Sequence, residues 1–146
     1  MRFAYAVISL TALLVGATSV GHLETAQDKE RPVQLDLKRG HYLVEDVGMC
    51  WTCHTPRTED GQPDRSRWLM GGPVPYRPAT ASAEWAEIAP RLAGLPPGTD
   101  EQFITLMTTG IARTGRPPRA PMPPFRLTRQ DAVRVLAYLK SVKPSE

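Results

Sequence analysis

Both cysteines of this chain and one of its three histidines fall within five residues, Cys50-Trp51-Thr52-Cys53-His54. Thiols three apart, with an imidazole directly behind the second, admit three chemistries. A structural zinc ion needs four protein ligands, commonly from two well-separated Cys or His pairs. No second pair exists here, since His22 and His41 stand singly upstream. A dithiol redox centre places its Cys-x-x-Cys between a strand and a helix of a βαβ unit. The flanks of this motif, in a chain with 15 prolines and few β-branched runs, do not resemble one. Cys-x-x-Cys-His is also the attachment signature of a covalent c-type haem. Each thiol adds to one vinyl group to give a thioether, and a one-residue tether holds the imidazole beneath the iron. On that reading Cys50 and Cys53 carry one haem c and His54 is the proximal iron ligand.

The opposite axial position decides what such a chain does, because an open one permits gas binding or peroxide chemistry and a filled one leaves electron transfer. Candidate donors are Met49, Met70, Met107, Met122, His22 and His41. Met49 is tethered to the attachment side. Met107 lies on the apolar stripe of a predicted helix, where methionine more often fills a core. His41 is poorly placed to reach the far face, and His22 stands near a predicted cleavage site. Met70 lies in a loop and stays a candidate. Met122 stands in Arg119-Ala120-Pro121-Met122-Pro123-Pro124-Phe125. The prolines of that loop have few conformations to lose on folding. A stiff loop presents a thioether without rearrangement when the iron changes charge, so Met122 is the expected distal ligand.

The elements that must position these groups are short. Residues 1–21 read as a signal peptide or an N-terminal membrane anchor: Arg2, an uncharged run from Phe3 to Val15, then small residues around Ala17-Thr18-Ser19. Either form places the remainder outside the cytoplasm. Residues 22–34 are a polar linker, and 35–146 form one domain. Leu37, Gly40, Val44 and Val47 recur at helical spacing and lead into Cys50. Gly40 costs such a helix about 1 kcal/mol, which points to close packing at that position. Residues 55–82 are loop, and a short helix is expected over 83–88. A clearer helix begins after Thr99 and stops before Gly110. The last one starts at Thr128 with Ala132, Val135, Leu136, Leu139 and Val142 in one stripe. No strand alternation and no internal repeat appear. Trp51, Trp68 and Trp85 are expected to pack against protein or haem.

Residues 38–144 resemble the monohaem class I cytochrome c domains of bacteria. The resemblance is carried by RGHYLVEDVGMCWTCHTPR, DEQFITLMTTG and APMPPFRLTRQDAVRVLAYLKSVKP. It implies an all-α, cytochrome c-like fold in which the N-terminal helix crosses the C-terminal one and the haem edge opens near the methionine loop. Carried onto this chain, it makes Cys50 and Cys53 the haem-bearing cysteines, His54 the proximal ligand and Met122 the distal one. It places Gly40 against the last helix near Leu136 or Tyr138. The acidic run usual after the last cap is replaced by Arg129-Gln130-Asp131, so partner preferences do not transfer.

Composition narrows the function further. The net charge is +3, and residues 113–134 hold six arginines against Asp131 alone. Nucleic-acid binding is disfavoured, because the segment lacks interleaved aromatics and an exported chain rarely meets nucleic acid. Haem propionates or an acidic redox partner use such charges better, and scattered solvated charge is an equal reading. No nucleotide loop, nucleophile triad or second attachment motif is present. The expectation is an electron carrier and not an enzyme, located in the periplasm, free or as the cytochrome subunit of an oxidoreductase or respiratory complex. It touches the inner membrane only if the leader is retained. A haem enzyme or gas sensor with an open distal position is the alternative. The Pro56 region is expected to offer a carbonyl to His54 Nδ1.

Overall fold

The computed structural model describes residues 34, 36–80 and 84–144. The leader, His22 and most of the linker lie outside the described residues. Among the described residues, four helices carry the architecture, besides a short 3-10 turn at Arg65–Arg67. Helix α1 covers 36–42 and passes into a wider turn at Leu43–Val47. Helix α2 is the single turn Trp51–His54, α3 is Asp100–Thr109 and α4 is Arg129–Ser141. Two-residue strands β1 (Gly72–Pro73) and β2 (Ile88–Ala89) pair antiparallel, Gly72 opposite Ala89. The helix expected over 83–88 is absent from the described residues 84–88, since Ile88 belongs to β2 and Trp85 to a bridge with Ala120. That segment satisfies its backbone across the chain: Val74 N donates to Glu87 O, and Ala86 N donates to Ala120 O.

Helix α3 starts with a complete capping box, in which Thr99 Oγ1 accepts from Gln102 N and Gln102 Oε1 accepts from Thr99 N. It ends at Gly110 in the left-handed region, with Gly110 N donating to Leu106 O. At α4 only half the box forms, Thr128 Oγ1 accepting from Asp131 N. The Asp131 carboxylate turns instead to Arg39, with both hydrogen bonds at 3.1 Å. The expected stripe on α4 is buried at Ala132, Val135, Leu136 and Leu139.

In α1 the expected stripe holds only as far as Val44. Gly48 N donates to Leu43 O, a five-residue step in place of four, and this over-wide turn rotates the chain. Leu43 takes the buried place beside Val44, and Val47 is left 53% exposed.

Helices α1 and α4 meet backbone to backbone at Gly40. A Cβ there would collide with the Arg134 carbonyl oxygen and lie 2.7 Å from Tyr138 Cβ. The Tyr138 contact and the close packing are as expected. Around the crossing, Arg39 pairs with Asp131 and Arg134 with Asp36 at 2.6 Å. Among the described residues, no helix is long and apolar enough to cross a membrane.

Two outcomes follow from the crossing. Gly40→Ala gains helix propensity but forces α1 off α4, for a net loss of about 2 kcal/mol by denaturant titration of the holoprotein. The Arg39 hydrogen bond, then the Arg39 and Arg134 charges, hold the Asp131 carboxyl below the usual carboxylate range. A folded-state pKa below the unfolded one contributes stability above the unfolded value and loses it as pH falls through the folded value. The stability difference between wild type and Asp131→Asn should therefore be full at neutral pH and shrink below about pH 4.

Candidate haem site

One helical turn explains the motif's spacing. In α2, His54 N donates to Cys50 O at 2.9 Å, so residues 50, 53 and 54 stand at i, i+3 and i+4 and share a face. That face lines a cavity of about 260 Å³, completed by Leu92, Phe103, Met107, Met122, Phe125 and Leu139 among others. Two adjoining cavities of about 230 and 270 Å³ lie on its flanks. His54 and Met122 line all three. Met107 and Met49 line the first alone, Met70 packs against the core, and His41 stacks edge-on against Tyr138.

The His54 ring is buried, and its Nδ1 lies 2.8 Å from the Pro90 carbonyl oxygen. A carbonyl only accepts, so Nδ1 carries the proton and Nε2 keeps its lone pair. Burial lowers the imidazole pKa, and the Pro90 bond offsets this only in part. The ring is therefore neutral at physiological pH, the form that ligates metals. Pro90 replaces the expected Pro56 region as the partner of Nδ1; the Pro56 carbonyl instead accepts from Asp64 N at 2.9 Å. No local signal marks Pro90, which is 36 positions from His54.

A strap of backbone bonds holds Pro90 in place. His54 O accepts from Gly71 N at 2.7 Å, and Leu69 O accepts from both Leu92 N and Ala93 N. A Cβ on Gly71, where φ is +75°, would lie 2.7 Å from atoms of Ala89, Pro90 and Arg91. Only glycine lets the strap cross this closely. Leu69 itself sits at φ +55°, its N–H satisfied by Thr55 Oγ1 at 3.0 Å. Both Thr55 and Leu69 are fully buried.

On the other side, the methionine loop is pinned at both ends. Arg119 Nη2 donates to Trp85 O, Ala86 N donates to Ala120 O, and Leu127 N donates to Met107 O. Glu45 braces the attachment turn. Its carboxylate accepts from Trp68 Nε1 at 3.0 Å and Tyr138 Oη at 2.7 Å, and its carbonyl accepts from Trp51 Nε1. Trp51 and Trp68 stack with centroids 5.6 Å apart. The tryptophans therefore pack against protein; none lines the three cavities, and Trp85 borders a separate surface groove.

No disulfide joins Cys50 to Cys53. Burial, then the Glu45 charge, pushes the Cys50 thiol up to about 11. Such a thiol stays protonated at neutral pH, which suits disulfide exchange poorly. Nor do the described residues hold a group of three or more His, Cys, Asp or Glu that suits a metal ion. Two thiols, a neutral imidazole and thioether sulfurs around apolar cavities fit a covalently held porphyrin.

Short helices around such a cavity, entered by a Cys-x-x-Cys-His turn, define a c-type haem domain. The chain belongs to the cytochrome c family, whose model, described as Cytochrome c, matches residues 37–143. It is also similar to a diheme cytochrome c-type protein of Cereibacter sphaeroides, 60% identical over 38 residues. That match covers 26% of this chain and 13% of the relative. A covalently bound haem c and electron transfer through it go with the family.

The strap carries a direct test. Thr55→Val is close in shape but leaves the buried Leu69 N–H without an acceptor, at a cost of about 1–3 kcal/mol in denaturant unfolding.

Proposed function

We propose that this chain is an extracytoplasmic one-electron carrier holding one haem c through Cys50 and Cys53, with His54 and Met122 as axial ligands. One observation carries the reading: His54 and Met122 border all three adjoining cavities, with the His54 Nδ1 proton committed to Pro90. A haem held there by Cys50, Cys53, His54 and Met122 would supply the one-electron ferric/ferrous couple. The protein's part is to keep both ligands in place through the change of charge. The His54–Pro90 bond fixes the ring orientation and raises its basicity. The two-ended anchoring of residues 119–127 limits movement of the Met122 sulfur. Apolar walls and a neutral sulfur donor disfavour the extra ferric charge, so the potential is relatively high.

The chain works in the periplasm, as a free carrier or as the cytochrome subunit of a larger redox complex, with no catalysis of its own. The leader, residues 1–21, exports it or tethers it to the inner membrane. A second reading, a haem enzyme or gas sensor, has Arg113 on its side, since this cation lines one of the three cavities.

Carbon monoxide separates the two. The reduced native protein should bind it slowly at neutral pH, and Met122→Ala should bind it readily. The oxidised native protein should show a sulfur-to-iron charge-transfer band that Met122→Ala lacks and Met107→Leu keeps. Rapid carbon monoxide binding by the native protein selects the enzyme or sensor.

A further inference from the structure

Glu45 carries a charge on the attachment side of the fold that no cation neutralises. It stands on the wide turn Leu43–Val47, upstream of Cys50, and is half-buried. Its carboxylate is held by neutral donors, Trp68 Nε1 at 3.0 Å and Tyr138 Oη at 2.7 Å, both on Oε1. Among the described residues no ion pair includes it. Trp68 stacks on Trp51, the residue after Cys50, and Trp51 Nε1 donates to the Glu45 carbonyl. The acid is therefore fixed against the turn that bears both cysteines. Its field reaches that turn, since after burial the Glu45 charge is the next influence pushing up the Cys50 thiol. Two cations stand nearby. Arg65 is exposed over the Trp68 face, 4.2 Å from the ring centroid, and Arg57 Nη2 donates to Thr52 O at 2.7 Å. Neither closes an ion pair with Glu45.

We propose that Glu45 tunes the electron-transfer centre: its fixed negative charge beside the attachment turn favours the ferric form of a haem held by Cys50 and Cys53, and so lowers the reduction potential. The inference rests on the carrier reading. Ferric iron carries one more positive charge than ferrous iron, so a nearby anion stabilises it more. A half-buried charge is screened by salt less than an exposed one. The apolar walls and the Met122 sulfur act in the opposite sense, and the carboxylate offsets part of their effect. Neutral donors suit this task. They satisfy the lone pairs of the carboxylate and leave its net charge in place, whereas a paired arginine would cancel it.

Spectroelectrochemical titration of the holoprotein reads the ratio of ferrous to ferric haem at a set ambient potential. Glu45→Gln keeps an oxygen for both donors and removes the charge. It should raise that ratio about 3- to 10-fold, the scale of one charge acting through protein of effective dielectric about 20. Asp46→Asn changes the net charge equally, yet should move the ratio by less than about twofold, because Asp46 is exposed and screened. Tyr138→Phe removes one hydrogen bond and leaves the charge less shielded, so it should lower the ratio while costing stability in denaturant unfolding. An unchanged ratio in Glu45→Gln, an equal rise in Asp46→Asn, or a rise in Tyr138→Phe overturns the assignment. Should Glu45→Gln fail to take up haem, the direction of the shift in Tyr138→Phe decides it. Absence of the sulfur-to-iron charge-transfer band in the native protein sinks the carrier reading instead, and is read without any redox titration.

Discussion

The hydrogen bond from His54 Nδ1 to the Pro90 carbonyl ties the attachment turn to a segment far along the chain, and much of the remaining backbone exists to keep that carbonyl where it is. The strap through Leu69, Gly71 and Ala93 spans the two segments with main-chain bonds, and the small sheet of β1 and β2 extends it. Main-chain bonds in a buried setting are costly to leave unmade, so the geometry is enforced from several directions at once. Leu69 keeps a left-handed conformation that an ordinary residue avoids, with Thr55 satisfying its N–H. An imidazole held in this way presents one lone pair in one direction.

The opposite wall is built on different physics. Helix α3 is capped at both ends and lends Phe103 and Met107 to the cavity. The methionine loop has no regular structure but is stiffened by proline and tied to residues 85–86 and to Met107. Two rigid walls facing across apolar space suit a cofactor that changes charge while its surroundings stay still. The crossing of α1 and α4 supports both walls, and its charges are paired internally.

Much of this was legible from residue types. The i, i+3, i+4 logic of Cys50, Cys53 and His54 needs only one helical turn. The α4 stripe and the α3 boundaries followed from periodicity and caps, and Gly40 announced a close contact by its cost. Three readings failed. Val47 left the buried face because the turn at Leu43 widened, residues 84–88 paired with residues 72–74 and 120 instead of forming a helix, and Pro90 displaced the Pro56 region as partner of His54. In the last two cases backbone groups far along the chain outcompeted the local preference, and in the first a five-residue hydrogen-bond step rotated the helix away from its regular period.

The sequence by itself therefore determined a covalent attachment turn and a helical domain in the cytochrome c family. The tertiary structure alone decided which carbonyl orients the histidine, which methionine borders the same three cavities as the histidine, and which charges pair where α1 crosses α4. Those outcomes depend on contacts between residues tens of positions apart. Such contacts are selected by packing and by the satisfaction of buried hydrogen bonds, and neither is encoded in the spacing of neighbours.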